Sequence, residues 1–318
     1  MQTPTIIREG KIVFPSVEIK ERAAWQTMTG FGDNLYSRAA LKLYVAKGNE
    51  VLLFTNRPHL YDDIPGVILR DRLFEKGTPQ EVEALIDKHI VKQVMFYAPE
   101  DLRHGTIYGY FYRRMGLTER PSAAHYDTPP LPDFPLPDRY FYVKDVALRG
   151  TWLNPARACD TRYLHEAVSV LRAKYPTTPI IATRDDSETT PDPVDADIVF
   201  KAQDISELQL LRIVKNAALC VGPVCWMVPG ALCTHTPTVI IMGGYQGLNR
   251  PDNLVPEDCD TMRFIDTDHP CMCEDMTHAC RKDISAFAQK FEALLSHFAK
   301  ENAEVSVRHE APAPQALR

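Results

Sequence analysis

The residues best suited to chemistry lie in Thr29-Gly30-Phe31-Gly32-Asp33-Asn34. Two glycines one residue apart suit a tight turn where backbone comes close to another group or a ligand. A carboxylate follows at once. From Leu35 the pattern turns helical, with Leu35, Ala39, Leu41, Leu43 and Val45 in a stretch free of proline, and of glycine until Gly48. Asp33 is therefore expected in the first turn of a helix, where free backbone N–H groups stabilise an anionic side chain and cradle an anion. Two roles fit such a carboxylate: a general base that takes a hydroxyl proton, or a structural acid that complements the helix dipole.

Cationic and glycine-bearing turns in the second half complement it. Leu148 to Arg157 places Arg149, Thr151 and Arg157 in a loop fed by the strand Tyr140 to Val146, with Lys144 close by. Arginines in such a loop present bidentate donors to phosphate, although Arg157 has Asp160 as an alternative partner. Gly222 and the N–H groups opening the short helix Trp226 to Cys233 can face an anion. Gly243, Gly244, Tyr245 and Gln246 follow the strand Thr238 to Met242 at its carboxyl end, where open α/β sheets place ligands. His104, followed by Gly105-Thr106, is a candidate for meeting a second substrate. His59 and His235 read as loop histidines.

Cys259, His269, Cys271, Cys273, His278 and Cys280 fall within 22 residues. Four soft ligands from Cys259, Cys271, Cys273 and Cys280 would hold a tetrahedral zinc. The Cys-x-Cys spacing is not that of a zinc knuckle, and ordinary loop thiols are the preferred reading. Cys220, Cys225 and Cys233 flank an apolar helix and read as core residues.

The elements that must position these groups alternate. In the first half they are a short strand at Ala23–Met28, the helix after Asp33, the strand Val51–Thr55, a turn at Pro65-Gly66 and the strand Val67–Leu69. A helix starts at Thr78-Pro79-Gln80-Glu81 and continues through Ile86, Ile90 and Val94. Thr106 to Tyr112 is aromatic-rich and reads as a strand. Prolines crowd 121–137 and mark a linker. Beyond it come strands at 179–183, 196–201, 217–222, 238–242 and 262–265. Helices are expected at 161–174, 205–216 (capped by Asp204), 226–233 and 284–300. Strands alternating with helices imply a parallel sheet covered on both faces. A frayed tail, 303–318, carries Pro312 and Pro314.

The chain has 318 residues, 45% hydrophobic and 25% charged, with a net charge of −6. That length suggests two domains, and the negative charge argues against coating nucleic acid or an anionic membrane. Eight scattered cysteines do not form a secreted disulfide scaffold. With no apolar signal core and no run long enough to span a bilayer, a cytoplasmic protein without a transmembrane anchor is expected.

Gly30-Phe31-Gly32-Asp33, the strand ending at Thr55, Ile64-Pro65-Gly66-Val67, Val221-Gly222, the run Thr236 to Gly244 and the cysteine-bearing segment before Asp283-Ile284-Ser285 together resemble a family-9 glycosyltransferase. That group contains the ADP-heptose:lipopolysaccharide heptosyltransferases. The resemblance covers 27–300 in broken pieces. It implies an α/β fold of two Rossmann-like domains facing a central cleft (the GT-B arrangement), with parallel sheets and helices on both faces. Residues 1–137 would bind the acceptor and 138–302 the nucleotide sugar. It further implies inverting transfer without a metal or other cofactor, from a nucleotide-diphosphate sugar to a glycan or lipid-linked acceptor. Asp33 would be the base, with Gly30, Gly32, Asn34 and His104 on the acceptor side. Arg149, Thr151, Arg157, Gly222, Gly243, Gly244 and Gln246 would hold the donor.

One departure stands out. The family carries Asp-Thr-Gly where this chain has Val224-Cys225-Trp226, so its donor would be held differently. Three rival readings share the scaffold: a transferase modifying nucleic-acid bases, with arginines 57, 70, 72, 103, 113 and 114 tracking phosphates; a non-catalytic ligand-binding descendant; and a sugar-nucleotide epimerase.

Overall fold

The computed structural model describes residues 6–8, 11–13, 23–72, 93–94, 97, 101–102, 105–146, 148–149, 157–186, 188–244, 249–271 and 280–309. The helix expected from Thr78 falls outside these residues, as do Arg103, His104, Thr151, Gln246, Cys273, His278 and the chain beyond His309.

Two parallel sheets organise the chain. The first is built from β3 (Ala23–Gln26), β4 (Val51–Phe54), β5 (Val67–Arg70) and β6 (Gln93–Val94), in the order β5-β4-β3-β6. Val94, expected at the end of a helix, belongs to β6. Ala-Ala-Trp-Gln is a poor strand by propensity, yet β3 is central, paired with β4 on one side and β6 on the other. Tertiary pairing decides what composition leaves weak. A separate hairpin joins β1 (Ile6–Arg8) to β2 (Lys11–Val13) in antiparallel fashion, so Ile12 and Val13 pair outside the main sheet.

The second sheet has six parallel strands: β7 (Phe141–Val143), β9 (Ile180–Arg184), β11 (Ile198–Lys201), β12 (Leu219–Gly222), β13 (Thr238–Ile241) and β14 (Met262–Ile265). Their order is β11-β9-β7-β12-β13-β14, with a small antiparallel pair, β8 (Leu148–Arg149) and β10 (Glu188–Thr189), beside them. Numbered within each sheet, the orders are 3-2-1-4 and 3-2-1-4-5-6. The reversal next to the first strand opens a crevice at the carboxyl ends of β3 and of β7 and β12.

Side chains of the larger sheet alternate between two cores. Phe141, Val143, Leu219, Val221, Val239 and Ile241 join α3 (Thr161–Lys174) and α7 (Phe287–His309). Phe287, Phe291, Leu295 and Phe298 give α7 its buried stripe. The opposite face, with Tyr142, Cys220, Ile240 and Met242, enters a core shared with the first sheet through α1 (Phe31–Ala46), α4 (Glu207–Asn216) and α5 (Met227–Thr234). Parallel strands are covered on both faces, so every second residue serves each core.

Three expectations need correction. Residues Ile107–Arg114 form α2, a helix and not a strand. Thr106 is its N-cap, accepting from the Gly109 N–H at 2.9 Å, and Ile107 and the aromatics at 110–112 are buried. The cap and helical spacing outweigh the strand preference of Tyr and Phe. The cap of α4 is Ser206, in a capping box with Gln209, while Asp204 lies in a preceding 3-10 turn. Helix α7 continues to His309, past the point where fraying was expected.

The proline-rich stretch is irregular apart from a 3-10 turn at Ala123–His125, but it is not loose. Arg212 donates to the carbonyls of Pro132 and Leu131 at 2.9 and 2.8 Å.

Candidate functional site

Asp33 sits in the first turn of α1, as its helix-start position requires. Gly30 is the N-cap and offers no side-chain cap, leaving the free N–H groups of the first turn to an acid. The loop is pinned from inside by Asn34. Its amide nitrogen donates to the carbonyls of Met28 at 2.8 Å and Gly30 at 2.7 Å, and its oxygen accepts from the Tyr61 hydroxyl at 2.9 Å. Asn34 is wholly buried, so the expectation that it meets an acceptor is corrected: it holds the loop's shape.

The Asp33 residue is half-buried, with its carboxylate among packed groups. Oδ1 accepts from the Tyr97 hydroxyl at 2.7 Å. Oδ2 leans over Gly30, where an added Cβ would lie only 2.2 Å away. That contact explains the first glycine. Desolvation raises the Asp33 pKa, opposed by the Tyr97 hydrogen bond and by the charges of Arg157 and Arg57. A carboxylate pushed upward in a crevice is suited to accepting a proton.

Gly32 has a different role. A Cβ there would come 3.2 Å from both Pro229 Cγ and Trp226 Cα, so the second glycine lets α1 approach the start of α5. Phe31 and Trp226 pack with ring centroids 5.3 Å apart across the same junction. Gly32 therefore lies in packing between the lobes and does not present an acceptor surface.

Arg157, on the turn before α3, belongs to the second lobe but acts electrostatically on Asp33. The backbone of Arg157–Ala158 presses on Gly243, where a Cβ would fall 2.1 Å from the Ala158 carbonyl oxygen. Gly244 follows with φ +96°, in the left-handed region that favours glycine. Ala158 O also accepts from Lys282 Nζ at 2.6 Å, and burial lowers the Lys282 pKa. Arg157 thus links Asp33 to the Gly243–Gly244 turn, across elements more than eighty residues apart.

Other candidates fall elsewhere. Gly222 is packed: a Cβ would meet Met227 Cε at 2.9 Å and Lys144 Cβ at 3.0 Å. It allows close approach and exposes no anion cradle. Lys144 is buried, with Nζ 3.4 Å from the Thr183 carbonyl. Arg149 pairs with Glu188 through backbone in β8. Cys220 and Cys233 are core residues, and burial pushes the Cys233 thiol up to about 12. Cys259 lies 3.8 Å from the Thr261 hydroxyl, whereas Cys271 lies close enough to act on Lys282. Among the described residues no three Cys, His, Asp or Glu side chains are grouped as metal ligands.

Sequence reasoning missed the interlobe bridge. Glu207, first residue of α4, accepts from Arg57 Nε at 2.9 Å and lies 2.9 Å from His59 Nε2. Arg57 also donates to the Thr29 carbonyl in the glycine loop. A separation of 150 residues hides this pair from any local pattern. Of the arginines proposed for nucleic acid, Arg57 turns to Glu207 and Arg114 stacks on Tyr110 at 5.1 Å. Further contacts cross the lobes. The Tyr36 hydroxyl donates to Leu254 O at 2.6 Å and Tyr108 to Asp252 O at 2.9 Å, on and beside the short α6 (Pro251–Leu254).

Searches by sequence match no family model and no curated protein. Comparison of the fold gives a different result. TibC from enterotoxigenic E. coli H10407, described as an iron-containing dodecameric glycosyltransferase, superposes with a TM-score of 0.60 over 93% of this chain and 82% of its own, at 12% identity. The chain has a GT-B fold. E. coli ADP-heptose lipopolysaccharide heptosyltransferase II gives 0.53 over 88% and 99%, at 9% identity. A family-9 glycosyltransferase from Veillonella parvula gives 0.52 over 79% and 87%, at 8% identity. Two lobes with parallel sheets facing a crevice, expected from the glycine loop and the alternating strands, are therefore the architecture of this chain. Among the described residues no helix is long and apolar enough to cross a membrane.

Proposed function

We propose that this chain transfers a sugar from a nucleotide-diphosphate sugar to an acceptor hydroxyl, with inversion at the sugar carbon. The observation that carries the reading is Asp33, a carboxylate with raised pKa in the interlobe crevice and within reach of the Arg157 charge. The shared fold supports it, and TibC has been described in complex with ADP-D-β-D-heptose.

In this mechanism Asp33 takes the proton of the acceptor hydroxyl as its oxygen bonds to the anomeric carbon from the face opposite the diphosphate. The carbon–oxygen bond to the diphosphate breaks, and its electron pair stays on the phosphate oxygen. Arg157 and the backbone beside Gly243 and Gly244 stabilise that charge. Asp33 then returns its proton to solvent. The first lobe holds the acceptor and the second the donor, with the proline-rich stretch between them.

The test is release of ADP from ADP-heptose, with water as acceptor, by wild type and Asp33→Asn. Loss of a general base lowers turnover by about 10²–10⁴-fold. A variant that keeps its turnover refutes the assignment. Trp226 favours a second reading, a protein that binds the donor without turning it over. Tight ADP-heptose binding with no ADP release by wild type would support it.

A further inference from the structure

We propose that Tyr97 is a positioning residue for Asp33: its hydroxyl fixes Oδ1 and leaves Oδ2 as the oxygen that takes the acceptor proton. The proposal rests on the reading of Asp33 as the base.

The geometry is specific. Tyr97 donates to Oδ1 at 2.7 Å. Its ring stands edge-on to Tyr110 at 5.9 Å and to Phe111 at 6.2 Å, and both of those side chains are buried in α2. The phenol cannot swing without disturbing that packing. Burial and the adjacent carboxylate push the Tyr97 pKa well up, so the hydroxyl keeps its proton and remains a donor. Among the described residues none donates to Oδ2, which lies over Gly30.

A carboxylate free to rotate presents two equivalent oxygens in many orientations. Tying one of them down fixes the lone pairs of the other before substrate arrives. The other groups acting on this carboxylate come from α1 itself and from separate elements. They are Arg157 from the second lobe, Arg57 from the turn after β4, Tyr36 on α1 and Tyr61 on the following turn. Both arginines and the Tyr97 hydrogen bond favour the ionised form, and burial opposes it.

Tyr97→Phe keeps the edge-on ring and removes only the hydroxyl, and a melting curve matching wild type confirms that the fold is retained. Two measurements then apply to the full chain: the pH profile of ADP release from ADP-heptose, and the titration of Asp33 followed by the ¹³C signal of its carboxyl, assigned with Asp33→Asn. The expected result is an Asp33 titration and an acid limb of the rate profile that both move to higher pH. The limiting rate should fall by up to about 100-fold.

An Asp33 titration that does not move in Tyr97→Phe, with Asp33→Asn inactive, overturns the proposal and leaves the base reading intact. A titration that moves while Asp33→Asn retains its turnover means that Tyr97 touches a carboxylate with no part in proton transfer. Both readings then fall, and for a distinguishable reason.

Discussion

Two turns face each other across the crevice, and they are built to opposite plans. The one after β3, Gly30 to Asp33, carries an ionisable acid whose oxygens are held by Tyr97 and by the space over Gly30. The one after β12, Val224 to Trp226, carries an indole that packs on Phe31 and closes on Gly32. The first turns of α1 and α5 therefore pack against each other. Two positive helix ends repel, and only one of them has an acid in its first turn. The difference separates the duties of the lobes. Charge resides on the first turn and packing on the second, so under the proposed function a diphosphate would take its donors from beside α5, at Arg157 and Gly243–Gly244.

The contrast breaks most severely at Gly30. Gly30→Ala puts a methyl group where Asp33 Oδ2 now lies, forcing the carboxylate off its position. Turnover of ADP-heptose should fall by about 100-fold, the cost of misplacing a reacting group by roughly 1 Å. A crystal structure of the variant should show Asp33 rotated away from Tyr97. Next comes Trp226→Ala, which removes the indole from the junction. Truncating a core aromatic costs about 3–5 kcal/mol, and a half-buried one less, so about 2 kcal/mol is expected by urea denaturation. Donor binding should persist if Arg157 and Gly243 carry it, and its loss would reassign the donor site to the second turn.

The smallest effect sharpens the comparison by pH. Because the folded Asp33 pKa is raised, its favourable contribution to stability is present below the ordinary aspartate range. That contribution is lost as pH rises through the folded value. Asp33→Asn cannot ionise, so it should melt slightly above wild type at neutral pH, with the gap closing towards pH 3. A gap constant with pH would show that burial does not set the carboxylate's state.

Local chemistry made part of this site readable. Gly30-x-Gly32-Asp33 before an apolar helical stretch places the acid at a helix start, and capping rules and spacing anticipate α1 and α3 closely. Arg157 and the Gly243–Gly244 turn could be named from loops at strand ends, but not their contact with each other or the action of Arg157 on Asp33, since distant chain segments meet only through sheet order. Asn34 misled because a polar residue beside a candidate catalytic carboxylate looks available, whereas its amide serves two carbonyls of its own loop. The hint lay in Asn four residues after Gly30, where side-chain-to-backbone bonds are common. Tyr97 carried no local signal, since its partner lies 64 residues away. Thr106-x-x-Gly109 did hold a cap signal for α2, masked by the strand-like aromatics.

The shared core has a consequence for how the crevice moves. Leu35 and Trp25 from one side lie in the same apolar cluster as Leu211, Met227 and Ile240 from the other. The second half keeps a core of its own under α3 and α7, but its other sheet face is shared with the first half, so a chain severed in the proline run would leave that face and the whole first half sticky. Parting the two halves would bare that shared oil to water, so the crevice is closed at its base by the same residues that fold it.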